Sequence, residues 1–494
     1  MNGASHIASS LSAILPILIL MGTACVALMG DVFIWKRQRA LTGIVALIGS
    51  VWALVVNLQQ ILGYGSSEPF SGSLVYDSLS QTTSLVLLIA TVLSVLLAIT
   101  YLRNRGLELG EYHVLLLFSA SGAMLMGAAN DLIMLFIGIE VLSVALYVLA
   151  GIARTEERSE EAAIKYFLLG AFASGFLLYG IALVYGATGT TNLQQINHLF
   201  SAKASITPIL VAGIGLLIVG LGFKAALVPF HQWTPDVYEG APTSVTAFMA
   251  AAAKVGAFAA FLRIMNAFMP VQPAWITAIQ VLAILTMVFG NLLAVVQDNV
   301  KRMLAYSSIA HAGYVLVAVA STGMIYRHAV LYLSQGDRAA MFYLLAYVFM
   351  TVGAFGVLVL LSRSGKDYQT MNDLKGLART HPFAAYTMMF FMLSLGGIPP
   401  TMGFLGKWLI FNAAISAHQV TLAIVMALAS VVGIYYYLRV VWMMCFQEPE
   451  GAPATEHPVN DWAARWSVIV SLAGTLMFGV LPALLSPIMT GLYH

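Results

Sequence analysis

The sequence predicts an all-α polytopic membrane protein with about 14 transmembrane helices, two of them broken. Three observations carry this prediction. Of 494 residues, 60% are hydrophobic and only 9% are charged, against about 25% charged in an ordinary soluble domain. A single soluble core stops growing near ~250–300 residues, so a chain of this size and composition is not a water-soluble enzyme. At roughly 35 residues for a span and its loop, the length makes room for about 14 spans of ~20 apolar residues. The net charge of +2 gives no sign of a polyanion partner, so no nucleic acid is expected, and the apolar composition makes the lipid bilayer the expected surrounding.

Fourteen apolar segments follow one another, centred near residues 20, 51, 91, 119, 141, 174, 218, 254, 284, 312, 351, 398, 430 and 476. The least apolar connections are 64–79, 187–206, 324–340, 362–381 and 447–463, and each is too short to fold alone. The first segment, Leu11 to Leu28, has no basic run before it, and Lys36, Arg37 and Arg39 follow it. That flank order belongs to a first transmembrane helix rather than a cleaved leader. Cys25 and Cys445 stand at opposite ends of the chain, which excludes a disulfide framework and an iron–sulfur cluster held by this chain.

Lysines and arginines set the expected orientation. Alternate loops carry Lys36, Arg37 and Arg39; Arg103 and Arg105; Arg154 and Arg158; Lys301 and Arg302; Arg363, Lys366, Lys375 and Arg379; and Arg465. The other loops carry only Lys203, Arg327 and Arg338. The first set is expected in the cytoplasm, with both termini on the periplasmic side. The connection between segments 7 and 8 is expected in the cytoplasm although it has no lysine or arginine.

Segments 7 and 12 differ from the rest. Segment 7 runs into GFKAALVPFHQWTPDVYEGAP, with Pro229, Pro235 and Pro242, and segment 12 contains SLGGIPPTMGFLGKW, with Pro399 and Pro400. Proline removes a backbone donor and clashes with the preceding turn. In a bilayer such breaks survive only beside protein or water. Two breaks five segments apart suggest two five-helix units, as in transporters with repeated broken helices. The chain then divides into 1–110 (segments 1–3), 111–269 (segments 4–8), 270–446 (segments 9–13) and 447–494 (segment 14). Within this scheme Lys224 precedes its break and Lys407 follows its own.

Ionisable residues inside apolar runs are the candidate functional groups. Glu140 lies nine residues past Asp131, roughly 13–14 Å along a helix and near the middle of a ~30 Å hydrocarbon layer. Lys224 lies five residues before Pro229, Lys254 near the middle of segment 8, and Lys407 just past the second break. A lone charge at that depth costs about 2.5–3.5 kcal/mol, so these groups must face the bundle. Burial disfavours the charged form of a lysine and a nearby carboxylate restores it. A lysine with an adjustable carboxylate neighbour is therefore a switchable proton site. In that scheme Glu140 and Lys224 form a modulating pair, Lys254 is the central carrier and Lys407 the far end. The competing reading makes them structural ion pairs, but no second deep carboxylate is visible to pair Lys254 and Lys407. Lys165, Arg263 and Arg439 lie near segment ends, where long side chains snorkel.

His231 in the first break and His311 in segment 10 titrate near neutrality and are possible relay groups. Asp236 and Glu239, at the expected cytoplasmic edge, are either a proton mouth or solvated carboxylates. Lys165 and Asp236, like the two histidines, are candidates for relay or access. Ser143, Tyr435, Tyr436 and Tyr437 could support water chains, although packing is the simpler role for each. The stretch GIGLLIVGLG lacks the strand–turn–helix setting of a dinucleotide loop, and no phosphate-binding loop of the G-x-x-x-x-G-K type is present. No cofactor-binding or metal site is expected, so energy for uphill transport must come from a partner or another gradient.

The motifs GFKAALVPFHQWTPDVYEGAPT, IEVLSVALYVLAG, AAAKVGAFAAF, NVKRMLAYSSIAHAGY and GIPPTMGFLGKW resemble the antiporter-like subunits of respiratory complex I. Among these they are most similar to subunit N of bacterial NADH:quinone oxidoreductase, the counterpart of mitochondrial NADH dehydrogenase subunit 2. The likeness covers nearly the whole chain. Lys407 in place of the Glu of subunit M, and the end of the chain soon after segment 14, favour subunit N over its sisters. The resemblance implies a fourteen-helix fold with two inverted five-helix repeats, and one proton-translocating unit of the membrane arm in a bacterial inner membrane. It places Glu140, Lys224, Lys254 and Lys407 in the family's relay. It also implies that FMN, iron–sulfur clusters and quinone reside in partner subunits, and that the partners are further antiporter-like subunits and small membrane subunits. A subunit of a multi-subunit Na+/H+ antiporter is the alternative, and a purely structural membrane scaffold a third reading.

Overall fold

A computed structural model describes residues 10–34, 40–63, 67, 69–202, 204–323, 325–327, 330–332, 334–362, 368–448 and 461–485. Lys36, Arg37, Arg39, Lys203, Arg363, Lys366 and both chain ends, on which the orientation partly rests, lie outside the described residues. The helices that position the site are α1 Leu15–Met29, α2 Ala40–Leu62, α3 Ser78–Arg105, α4 Gly110–Ala128, α5 Leu132–Ala150, α6 Glu157–Thr188, α7 Leu193–Ser201, α8 Pro208–Lys224 and α9 Trp233–Gly240. They continue with α10 Thr243–Ala267, α11 Ile276–Val295, α12 Val300–Ala320, α13 Gln335–Leu361, α14 Pro382–Gly396, α15 Met402–Ser416, α16 Val420–Phe446 and α17 Trp462–Val480. A two-stranded hairpin, Ile325–Arg327 with Val330–Tyr332, lies in the connection before α13.

Among the described residues, eleven helices are long and apolar enough to cross a membrane. The expected count of about 14 differs for physical reasons. Segments 7 and 12 are split into the pairs α8/α9 and α14/α15, and α4 is diluted by Gly, Ser and His. The chain is a multi-pass membrane protein. Its inner layer is α10, α12, α13 and α3: α10 is buried throughout, α12 and α13 nearly so. A helix that is apolar all round and also buried belongs to the centre of a bundle. The outer helices instead expose apolar side chains such as Phe172, Leu428 and Trp442, as a lipid-facing surface does.

Both breaks sit at prolines, and the Val228–Pro229 and Pro399–Pro400 peptides are cis. A backbone pattern recurs around them. Leu132 N donates to Thr191 O at 2.9 Å and Leu193 N to Asn130 O at 2.8 Å. Val300 N donates to Gln369 O at 2.7 Å and Met371 N to Asp298 O at 2.8 Å. The start of α5 is thus pinned to the connection leading into α8, and the start of α12 to the connection leading into α14. Asp131 and Asn299, at the centres of these bridges, also cap α5 and α12 through their side chains.

At one edge of the bundle Asp77 caps α3 and takes both arms of the Arg263 guanidinium, each at 2.5 Å, while Arg263 Nε donates to Gly127 O at 2.9 Å. Arg263 is therefore a tie between α10, α3 and α4 rather than a snorkelling side chain. Burial works against the Asp77 carboxylate, but Arg263 and Ser80 outweigh it and hold its pKa below the ordinary value. Removing one partner of such a pair strands the other. We expect Arg263→Ala to lower the stability of the subunit by about 3 kcal/mol, read as a fall in the thermal midpoint of the detergent-solubilised complex, with Asp77→Ala close behind.

Candidate functional site

Lys224 is the last residue of α8, at the first break. Its Nζ donates to Ser143 Oγ at 2.7 Å and to Tyr166 OH at 3.1 Å, and lies against the rings of Tyr147 and Tyr166. Glu140 is one turn before Ser143 on α5, so the two share a face. Its Oε1 accepts from Ser174 Oγ of α6 at 2.5 Å. The structure brings Glu140 and Lys224 to one place, with Ser143 rather than the carboxylate in direct contact with the amine.

Lys254 follows a single π-turn, Met249–Ala253, inside α10. Such turns locally disturb the ladder of helix hydrogen bonds and are frequent at functional sites. The alanine run MAAAAK carries no local signal for it. Lys254 Nζ donates to Ser308 O and, at 2.5 Å, to Ser308 Oγ of α12, and lies 5.4 Å from the Tyr347 ring centroid. His311, one turn beyond Ser308, has both ring nitrogens engaged: Nε2 with Tyr437 OH at 2.9 Å and Nδ1 with Tyr343 OH at 2.6 Å. Tyr437 OH also pairs with Ser307 Oγ.

Lys407 Nζ reaches back across the second break to Leu395 O at 3.1 Å and Gly396 O at 3.0 Å. These are terminal carbonyls of α14, groups that a helix end leaves without internal partners and where a cation is favoured. The Tyr314 ring lies 5.0 Å from its amine. Gly397 turns the chain at φ 86°, and a Cβ there would sit 3.0 Å from Lys407 Cδ, so glycine both makes the turn and admits the lysine. The mismatch between Lys224 before one break and Lys407 after the other is thereby reduced in space. One lysine ends the first half-helix, and the other lays its amine on the end of its own.

The peripheral candidates divide. Lys165 is half-exposed and pairs with Glu161 at 2.6 Å and Asp236 at 2.8 Å. Asp236 also binds Arg302 at 2.7 Å, and Arg302 binds Glu239 at 2.9 Å. Asp236 and Glu239 are thus not solvated loop carboxylates but lie on α9, tied to α12. His231 lies in the first break, and its Nδ1 is buried without a hydrogen-bond partner. Arg439 binds Asp298 at 2.5 Å.

Tyr435 is 60% exposed, while Tyr436 and Tyr437 are buried in polar contacts. The burial of three groups escaped the sequence reading, among them Lys301, expected in a loop and found 1% exposed on α12. Lys301 donates to Ala241 O at 2.7 Å. Asp337 is capped by Ser334 and bonded to Asn266. Asn291 joins Tyr314 to Tyr436. Their signal was weak because each lies near a helix end or, for asparagine, carries no charge. No group of three or more His, Cys, Asp or Glu that could hold a metal is found among the described residues.

The family model described as NADH:quinone oxidoreductase/Mrp antiporter, TM, matches residues 129–433. NADH-quinone oxidoreductase subunit N 1 of Solibacter usitatus is 44% identical over 468 residues, covering 94% of this chain and 93% of that protein. NADH-quinone oxidoreductase subunit N of Myxococcus xanthus is 44% identical, covering 95% of this chain and 94% of that one. Among solved structures, a chain of respiratory complex I from Thermus thermophilus with bound aureothin is 35% identical at a TM-score of 0.78, covering 96% of this chain and 98% of that chain. A chain of the Mrp complex from Dietzia sp. has a TM-score of 0.82 at 23% identity, covering 98% of this chain and 96% of that one, and shares the fold. With identity above two fifths over nearly its whole length, the chain belongs to the family of NADH-quinone oxidoreductase N subunits.

Proposed function

We propose that this chain translocates protons in the membrane arm of NADH:quinone oxidoreductase, seated in a bacterial inner membrane with both ends on the periplasmic side. Glu140, Lys224, Lys254 and Lys407 form its relay, with His311 between the last two. Electron transfer, with FMN, iron–sulfur clusters and quinone, belongs to partner subunits. The neighbours are other antiporter-like and small membrane subunits. The residue division 1–110, 111–269, 270–446 and 447–494 is proposed with it.

One observation carries the relay. Lys224, Lys254 and Lys407 are each at most 9% exposed, and each amine is held by hydroxyl or carbonyl oxygens, with no carboxylate in direct contact among the described residues. Such oxygens accept an N–H from an ammonium or from a neutral amine. A structural ion pair would require the fixed partner that is missing here. The arrangement therefore tolerates both protonation states in place, as a proton carrier must. Vesicles holding the assembled complex test it. Lys224→Met and Glu140→Gln are expected to lower protons moved per electron. Wild-type values in both overturn the relay, and sodium-gradient-driven pH change by the isolated complex would favour the Na+/H+ antiporter alternative.

A further inference from the structure

The polar groups around His311 continue past it in a chain that the relay does not use. Tyr437 OH bonds His311, and the Tyr436 ring lies 4.4 Å from the Tyr437 ring between centroids. Tyr436 OH donates to Asn291 Oδ1 at 3.0 Å. Asn291 Nδ2 donates to Tyr314 OH at 3.1 Å and to Met287 O at 2.8 Å. Tyr314 in turn lies under the Lys407 amine. Asn291 is 1% exposed, and Gly433 leaves room for it, since a Cβ there would come within 3.1 Å of Oδ1. Hydroxyl and imidazole groups thus lie on both sides of Asn291, with His311, Tyr437 and Tyr436 on one side and Tyr314 beneath Lys407 on the other, and the amide is the hydrogen-bonded link between Tyr436 and Tyr314.

We propose that Asn291 is a proton insulator, which keeps this tyrosine chain from joining the Lys254–His311 half to Lys407 as a permanent bypass. The inference rests on the relay reading above. A hydroxyl oxygen both accepts and donates, so protons hop through it; an amide accepts only at oxygen and donates only at nitrogen. For a proton to pass, Tyr436 would have to give its hydroxyl proton to Oδ1 while Nδ2 gave one to Tyr314. That leaves the side chain as its imidic acid, which must then be reversed before the next transfer. The block holds whichever way round the amide is set, because either orientation presents one donor end and one acceptor end. Both amide hydrogens and the oxygen are engaged, so the group is held in its blocking position. Transfer between the two halves is then left to groups that can be gated by motion, His311 above all.

Two near-isosteric variants separate this role from packing. Asn291→Asp, when protonated, accepts at one oxygen and donates from the other and so restores a continuous path. Asn291→Leu removes the hydrogen bonds but stays insulating. Both are measured in the assembled complex in vesicles, by passive proton conductance under an imposed pH gradient without NADH, and by protons moved per electron during NADH oxidation. Asn291→Asp is expected to raise passive conductance several-fold and to lower protons per electron. Asn291→Leu is expected to keep wild-type values of both per assembled complex, whatever it does to yield. Wild-type conductance and stoichiometry in Asn291→Asp overturn the insulator, as does an equal loss in both variants. Lys254→Met in the same assay reports on the relay itself: if it pumps normally, the relay reading fails independently of Asn291.

Discussion

Lys254→Met will leave an assembled complex that no longer pumps at a useful rate, with proton translocation reduced on the order of 10²-fold, the usual consequence of deleting a positioned proton-transfer group. Methionine is close to lysine in length and keeps the apolar stem packed, so the change removes the amine and little else. The informative companion is Lys254→Arg. A guanidinium stays charged at every accessible pH and cannot hand its proton on. If Lys254 acts by exchanging protons with groups next to Ser308, arginine will be as inactive as methionine although it keeps the charge. If Lys254 is a fixed charge that sets the spacing of α10 and α12, arginine will restore activity. The measurement is acidification of inverted vesicles during NADH oxidation, normalised to the amount of assembled complex. Wild-type pumping by the arginine variant would remove Lys254 from the relay.

The fold was legible where composition decides it. Long apolar runs leave helices as the available way to satisfy backbone groups in lipid, and the prolines at 229 and 400 marked both interruptions. The lysines were legible because charge in an apolar run is costly wherever it points. What they touch was not. Ser308 beneath Lys254, the carbonyls of Leu395 and Gly396 beneath Lys407, and the tyrosines on both nitrogens of His311 come from segments tens of residues away or across a break. Serine and tyrosine in a membrane helix look the same in sequence whether they serve a site or fill space: Tyr435 is exposed while its neighbours Tyr436 and Tyr437 are buried in hydrogen bonds. Asn291 shows the same limit, because its importance lies in what stands on either side of it. The setting of Asp236 and Glu239 was hidden for a related reason. Their cationic partner Arg302 lies more than sixty residues away in sequence and meets them only once α9 packs on α12.

Gly403→Val will prevent stable incorporation of the subunit, and Gly403→Ala will weaken it by about 1–3 kcal/mol or more, the range of an overpacked core. At the second break α15 crosses the end of α14 so closely that a Cβ on Gly403 would fall 2.0 Å from Ser394 O and 2.8 Å from Met350 Sδ. The obstruction is backbone, which cannot swing aside as a side chain can. Gly403 N also donates to Ser394 Oγ at 3.3 Å, so the close approach is part of how the broken backbone finds partners. Separating the halves would move Leu395 O and Gly396 O away from Lys407, so the alanine variant should lose pumping before it loses electron transfer. Gly175→Ala on α6 is the control, since a Cβ there meets nothing within 4 Å. The checks are the thermal midpoint of the purified complex and the amount of this subunit in membranes. Normal incorporation of Gly403→Val would mean that the two half-helices can part without consequence, and that the break does not hold Lys407 in place.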